Sequence, residues 1–149
     1  MYKHILISTD GSDVAQKGVD HGLSLAKSLG AKVTVITVTE PFPFHASTAG
    51  AGWVPLPEDI SGYEEGQKKA ADKLLATVRE AAAEIEVAAD GLHVPDARPA
   101  EAIVETATTE GCSLIVMASH GRRGLGRLLL GSQTAEVLAH SPVPVLVVR

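Results

Sequence analysis

The apolar stretch Leu114–Ala118 and the residues that follow it decide the fold of this chain. Residues 113–121 read Ser-Leu-Ile-Val-Met-Ala-Ser-His-Gly, and a basic segment rich in glycine leads from there to Gly-Ser-Gln-Thr at residues 131–134. An uninterrupted apolar run of this length is typical of a strand that is buried on both faces. The Ala- and Leu-containing residues Ser132–His140 are predicted to form a helix.

A strand, a glycine-containing loop and a helix N-terminus in this order predict an anion-binding site. The first N–H groups of a helix have no partner inside the helix, and the helix dipole places partial positive charge at the same end. Two known phosphate motifs do not account for the pattern. Ser132-Gln133 follows Gly131 without the lysine that a P-loop requires, and the glycines between residues 121 and 126 run in the opposite order to the dinucleotide fingerprint.

The glycine pattern resembles the nucleotide-binding signature of the universal stress protein family, Gly-x-x-Gly-x9-Gly-Ser/Thr. Gly121, Gly131 and Ser132 match the second glycine, the third glycine and the hydroxyl residue, whereas Ala118 replaces the first glycine. The resemblance covers nearly the whole chain, from Lys-His-Ile-Leu-Ile at residues 3–7 to Pro-Val-Pro-Val-Leu-Val-Val at residues 142–148. It is weakest in the long loop after Thr39.

The resemblance implies a stress-response regulatory protein that binds adenine nucleotides, with ATP preferred over ADP and AMP. It implies slow hydrolysis at most, because no residue is obviously placed to activate water, and no catalytic residue is assigned. Asp10 is the candidate for holding Mg²⁺ beside the phosphates. The implied nucleotide-binding positions are Thr9, Asp10, Val38, Met117, Ala118, His120, Gly121, Arg122, Gly131, Ser132, Gln133 and Thr134.

Several of these positions have expected roles. Gly131 and Ser132 are expected to offer backbone N–H groups, and Ser132 its hydroxyl, to phosphate oxygens. Thr9 and Val38 would read the adenine edge through backbone groups, and His120 would position the loop.

Each position also has a structural interpretation. A loop glycine and a helix cap would satisfy Gly131 and Ser132 equally well, and a turn would satisfy Asp10. Ala118 leaves two alternatives open. A negative φ would tolerate its methyl group, whereas a positive φ would introduce strain and block close approach of a ligand.

Composition and charge narrow the function classes. The 149 residues are 45% apolar and 21% charged, which is typical of a globular protein, and a single domain over residues 1–149 is expected. The net charge of −5 argues against nucleic acid and anionic membranes as partners.

No signal-peptide or membrane-spanning pattern is present, so a cytoplasmic location is predicted. Cys112 is the single cysteine and is expected to be buried.

Predicted strands and helices alternate along the chain, which indicates an α/β fold with a parallel sheet and helices on both faces. The strands are predicted at residues 2–9, 33–38, 86–94, 114–118 and 143–148. Helices are predicted to begin after a cap at Ser12 or Asp13, to span residues 62–85, to begin at Pro99 and to span residues 132–140. Residues 40–61, with Trp53, are expected to be a loop without regular structure, either a lid or a variable surface segment.

The family resemblance adds the strand order 3-2-1-4-5 of a Rossmann-like, adenine nucleotide hydrolase-like sheet. In that order the turn at Asp10 and the loop from residue 118 to 134 meet where the strand order reverses, which is the usual ligand position in such sheets. The strand at residues 143–148 then lies at an edge, where it is apolar on both faces. The resemblance implies a homodimer formed through this strand.

Two other functions remain open. The same fold could be a dimeric interaction module that binds no nucleotide, for which Ala118 gives a reason. Residues 8–13, Ser-Thr-Asp-Gly-Ser-Asp, loosely resemble the Ser-Gly-Gly-x-Asp-Ser pyrophosphate loop of ATP-pyrophosphatase enzymes, but two of the required glycines are missing.

Overall fold

A computed structural model describes residues 1–44, 52, 54–121 and 129–149. Within these ranges the strands form one parallel sheet in the predicted order β3-β2-β1-β4-β5. The strands are β1 (His4–Ser8), β2 (Lys32–Val38), β3 (Ala89–Val94), β4 (Leu114–Ala118) and β5 (Val145–Val148). The helices are α1 (Asp13–Leu29), α2 (Pro57–Glu84), α3 (Pro99–Thr109) and α4 (Ser132–His140).

Helices cover both faces of the sheet, because successive side chains of a strand point to opposite faces. Ile5 and Ile7 of β1 pack with residues of α1 and α2 in one core cluster. Leu6 packs on the other face with residues of α3 and α4. The predicted two-sided burial of β4 is confirmed, since all five of its residues are buried.

The ends of α1 have clear chemical causes. Ser12 is the N-cap, because its side chain accepts a hydrogen bond from the Ala15 N–H at 3.2 Å. This settles the two alternatives for the cap in favour of Ser12. Gly30 ends the helix in the left-handed conformation at φ 64°, as its position in the sequence predicts.

Helix α2 begins at Pro57, earlier than the predicted residue 62. Proline lacks an N–H group and therefore suits the first helical position. The Leu56 N–H donates to Oδ2 of Asp59 at 2.8 Å, which satisfies the backbone just before the helix. The prediction of an irregular segment over residues 40–61 is therefore wrong for residues 57–61. Trp53 lies outside the described residues.

Three strands are shorter than predicted, and the first of them, β1, spans His4–Ser8 within the predicted residues 2–9. β3 begins at Ala89, because Glu86 takes a positive φ of 59° in the turn after α2. β5 begins at Val145, because the Ser141 hydroxyl folds residues 141–143 into a turn by donating to the Val143 carbonyl at 2.7 Å. Asp90 and Gly91 pair in register with β2, so β3 passes through these two residues without a bulge.

Two further predictions concern the single cysteine and membrane-spanning segments. Cys112 is buried as predicted, and burial raises the pKa of its thiol to about 11. None of the helices within the described ranges is long and apolar enough to cross a membrane.

Candidate functional site

A cleft of about 880 Å³ lies at the carboxyl ends of the strands, where β1 is flanked by β2 on one side and β4 on the other. This is the position at which a sheet of this topology binds ligands. The predicted site residues that line it are Asp10, Val38, His120, Gly121, Gly131, Ser132, Gln133 and Thr134. Thr9, Met117 and Ala118 are buried beneath the cleft residues, and Arg122 lies outside the described residues.

The N-terminus of α4 presents open backbone donors to the cleft. The first hydrogen bond of this helix runs from the Ala135 N–H to the Gly131 carbonyl at 2.9 Å. The N–H groups of Ser132, Gln133 and Thr134 precede that bond and have no acceptor among the residues that the structure describes. With the helix dipole behind them, three adjacent open amides form a favourable site for an anion.

Gly131 has a different role from the predicted one. Its N–H donates to the Ser119 carbonyl at 2.8 Å, so the prediction that this amide serves a phosphate is wrong. The residue must nevertheless be small. A Cβ atom on Gly131 would lie 2.9 Å from Cα and 3.0 Å from Cβ of His120, and the backbone of the loop would have to move to admit it.

The side chains of Gln133 and Thr134 bind the protein itself. Oε1 of Gln133 accepts a hydrogen bond from the Ala100 N–H at 3.1 Å, and so satisfies a donor in the first turn of α3. The Thr134 hydroxyl donates to the Ala118 carbonyl at 3.0 Å and is almost fully buried. These residues can therefore serve a ligand through their amides, while the exposed Ser132 can also offer its hydroxyl.

Ala118 is compatible with the backbone at the first position of the motif. Among the described residues other than glycine, positive φ angles occur at Glu86 and Asp96 and not at Ala118. The alternation of β4 places the Ala118 side chain on the same face as Val116, towards α1. Gly18 of α1 lies against the backbone at this point, since a Cβ on Gly18 would lie 3.1 Å from the Ala118 nitrogen. The strained alternative for Ala118 is therefore excluded.

Asp10 faces the loop after β4, as the topology predicts. Its Oδ1 accepts a hydrogen bond from the Ser12 N–H at 2.9 Å. A Cβ atom on Gly121 would lie 2.5 Å from its Oδ2, so the two segments touch at this point. His120 lines the same part of the cleft, where its Nδ1 lies 3.1 Å from the Ser119 hydroxyl.

Sequence reasoning missed one wall of the cleft, which is formed by α2. Tyr63, Gln67, Lys73 and Thr77 line it, and the Tyr63 hydroxyl donates to the Glu40 carbonyl at 3.0 Å. In the sequence these polar residues indicate only a solvated helix face. The available signal was Pro-Glu-Asp at residues 57–59, which is typical of a helical first turn and would have extended the predicted helix over the cleft.

A family model, a curated relative and solved structures all relate this chain to universal stress proteins. The profile described as "Universal stress protein family" matches residues 1–149. Universal stress protein MJ0531 of Methanocaldococcus jannaschii is 36% identical over 149 residues, which is 100% of this chain and 83% of that protein. The solved structure of protein MJ0577 from the same organism is similar with a TM-score of 0.83 at 27% identity, over 99% of this chain and 96% of that one.

Two further solved structures share the fold and contain an adenine nucleotide. One is a universal stress protein in complex with cAMP, with a TM-score of 0.67, 24% identity and coverage of 99% of this chain and 97% of that one. The other is a universal stress protein from Archaeoglobus fulgidus in complex with dAMP, with a TM-score of 0.65, 17% identity and coverage of 99% and 98%.

Proposed function

This chain belongs to the universal stress protein family, and we propose that it is a stress-response regulatory protein that binds adenine nucleotides, preferably ATP. The observation that carries the proposal is the set of three open amides of Ser132, Gln133 and Thr134 at the cleft. Related structures with cAMP and dAMP support the choice of an adenine nucleotide as the ligand.

The lining residues suggest how the nucleotide binds. The three amides and the Ser132 hydroxyl donate to phosphate oxygens, and such charge-assisted hydrogen bonds are roughly twice as strong as neutral ones. Asp10, which lies against Gly121 in the loop after β4, accepts from the ribose hydroxyls. The end of β2 at Val38 offers backbone groups to the adenine edge.

A magnesium ion would enter with the phosphates. Within the described ranges no three His, Cys, Asp or Glu side chains are grouped to hold a metal alone. Mg²⁺ is commonly held by one or two carboxylates together with substrate phosphates, and Asp10 suits that arrangement. We expect hydrolysis to be slow at most, because no described carboxylate forms a hydrogen bond with the ring of His120 that could make it a general base.

Thermal unfolding with and without nucleotide tests the proposal. A ligand at a hundred times its Kd stabilises a protein by about 2.7 kcal/mol, which corresponds to a rise in Tm of roughly 5–10 °C for a domain of this size. Mg-ATP is expected to give such a rise. Gly131→Val should abolish it, because a side chain there collides with His120.

Gly66→Ala is the matched control, because a Cβ atom at residue 66 would meet nothing within 4 Å. This variant should keep the rise in Tm. An unchanged melting curve of the wild-type protein at saturating ATP, ADP and AMP would contradict nucleotide binding. It would favour the competing function, a dimeric interaction module of the same fold.

We also propose that two copies pair through β5. This strand lies at the edge of the sheet with β4 as its one neighbour, and its residues Val145–Val148 are all partly exposed. An apolar edge strand with unpaired backbone groups is a template for pairing with another chain. Both the nucleotide-binding function and the competing function predict this dimer.

A further inference from the structure

We propose that Thr134 is a positioning residue of the phosphate site, which holds the first turn of α4 against the end of β4 and thereby aims the open amides into the cleft. The inference rests on the proposed nucleotide binding. It assigns the Thr134 side chain a role through the Ala118 carbonyl, whereas the family resemblance implies only that Thr134 is a nucleotide-binding position.

The geometry around Thr134 forms a double attachment. Its hydroxyl donates to the carbonyl of Ala118 at 3.0 Å, and Ala118 is the last residue of β4. The next carbonyl along the chain, that of Ser119, accepts from the Gly131 N–H at 2.8 Å. Two consecutive carbonyls at the end of β4 therefore hold the N-terminus of α4. Their hydrogen bonds close the base of the loop that connects the strand to the helix.

Burial makes the Thr134 contribution strong. The residue is 2% exposed, so water cannot replace its hydroxyl when the hydroxyl is removed. The last residue pair between β1 and β4 is Ile7 with Val116. Ala118 comes after this pair, so its carbonyl lies outside the paired residues of the two strands. A buried carbonyl that loses its donor pays a desolvation cost. The first turn of α4 is then expected to shift until the oxygen finds another donor.

Nucleotide affinity separates positioning from plain stability. Thr134→Val keeps the shape of the side chain and removes the hydroxyl, and it should weaken ATP binding by about threefold to tenfold. This loss of about 0.6–1.4 kcal/mol lies within the usual contribution of one hydrogen bond. Thr134→Ser keeps the hydroxyl and should restore an affinity within about twofold of wild type by the same reasoning. Isothermal titration calorimetry gives both dissociation constants.

Thr34→Val is the matched control. Thr34 is 4% exposed, and its hydroxyl is 2.8 Å from Nε2 of His4 on the neighbouring strand, near the amino ends of the strands and away from the cleft. This variant should lower Tm while leaving the Kd for ATP unchanged. If Thr134→Val behaves in the same way, the residue is merely structural and the inference is wrong.

A second measurement uses the protein without nucleotide. Positioning predicts that the amide NMR resonances of Ser132 and Gln133 move much further in Thr134→Val than in Thr134→Ser. Small shifts of similar size in both variants, which a change of a neighbouring side chain produces by itself, would overturn the inference. Because this measurement needs no ligand, it still decides the matter if wild-type protein proves not to bind ATP, in which case only the proposed function fails.

Discussion

Oδ2 of Asp10 lies 2.5 Å from the position that a Cβ atom would take on Gly121. The turn after β1 and the loop after β4 therefore meet at a glycine whose missing side chain makes room for a carboxylate. The contact joins the proposed ribose and magnesium side of the cleft to the proposed phosphate side. This contact explains why the second position of the motif is a glycine. The explanation requires no special φ angle, since Gly121 is not among the glycines with positive φ.

Gly121→Ala is expected to weaken Mg-ATP binding by about tenfold, a loss near 1.4 kcal/mol, because the methyl group displaces the Asp10 carboxylate. A double-mutant cycle with Asp10→Ala tests the cause. If the collision with Asp10 is responsible, Gly121→Ala should cost much less in the Asp10→Ala background, with a coupling of about 0.5–1.4 kcal/mol. Equal losses in both backgrounds would show that the methyl group acts on something other than Asp10.

Gly22→Ala is expected to destabilise the fold by about 1–3 kcal/mol, the usual cost of overpacking a core. A Cβ atom on Gly22 of α1 would lie 2.6 Å from Cδ1 of Ile7 and 2.9 Å from its Cγ1. Urea unfolding measures the loss. Ile7→Val removes Cδ1 and with it the shortest of these contacts. The double variant should therefore lose less stability than the sum of the losses of the two single variants.

The control for this prediction is Gly62→Ala, where a Cβ atom meets nothing within 4 Å. Since alanine is the better helix former, this change in α2 should raise stability by up to about 1 kcal/mol. A Gly22→Ala variant that keeps or gains stability, as Gly62→Ala is expected to do, would contradict the close helix–sheet contact.

The regular elements were largely readable from the sequence. β4 and α4 have their predicted bounds, because a continuous apolar strand and a short helix that follows Gly131 are both strong local signals. The parallel sheet followed from the alternation of elements, whereas the strand order came from the family resemblance, since periodicity does not specify which strands are neighbours. The errors lie at the ends of β1, α2, β3 and β5.

The convergence of the candidate residues at one cleft was readable from the sequence, and their hydrogen bonding was not. The sequence indicated that Gly131, Ser132 and Asp10 would converge, and the cleft includes all three. It could not show that the Gly131 amide is already used by Ser119, because that bond depends on the path of the loop. The wall of α2 was missed for a similar reason, since a polar helix face is the same in sequence whether it meets solvent or a cleft.

The buried His4 predicts a dependence of stability on pH. Its Nε2 lies 2.8 Å from the Thr34 hydroxyl, and burial, followed by the nearby charge of Lys32, lowers its pKa from the ordinary value of 6.5. The unfolded chain therefore binds a proton more readily than the folded protein. The stability from the neutral ring is present above pH 6.5 and is lost as the pH falls from there towards the folded pKa.

Urea unfolding at pH 7.5 and 5.5 measures this loss. His4→Gln is expected to reduce the difference in stability between the two pH values, because it removes the titrating ring. His21→Gln is the control, since His21 is exposed on α1, and it should leave the difference as in wild type. A pH dependence that is the same in wild type and His4→Gln would place the responsible group elsewhere.

The edge of β5 allows the proposed dimer to be tested without harming the sheet. The Pro144 carbonyl accepts from the Ile115 N–H at 3.0 Å, and the Val148 carbonyl accepts from the Ser119 N–H at 2.8 Å. In a parallel ladder alternate residues direct their backbone groups to the same neighbour, so Val147 directs its N–H away from β4, towards the open edge. Proline is tolerated at such a position because the ladder loses no donor.

Val147→Pro is therefore expected to give a folded monomer, whereas wild-type protein and Val147→Thr, which keeps the N–H and the β-branched shape, should be dimers. Light scattering at micromolar concentration measures the mass, and circular dichroism confirms that each variant is folded. A Val147→Pro protein that remains dimeric would show that the copies associate through another surface. A monomeric wild type would refute the dimer itself, while the proposed nucleotide site, the cleft at the ends of β1 and β4, would be unaffected.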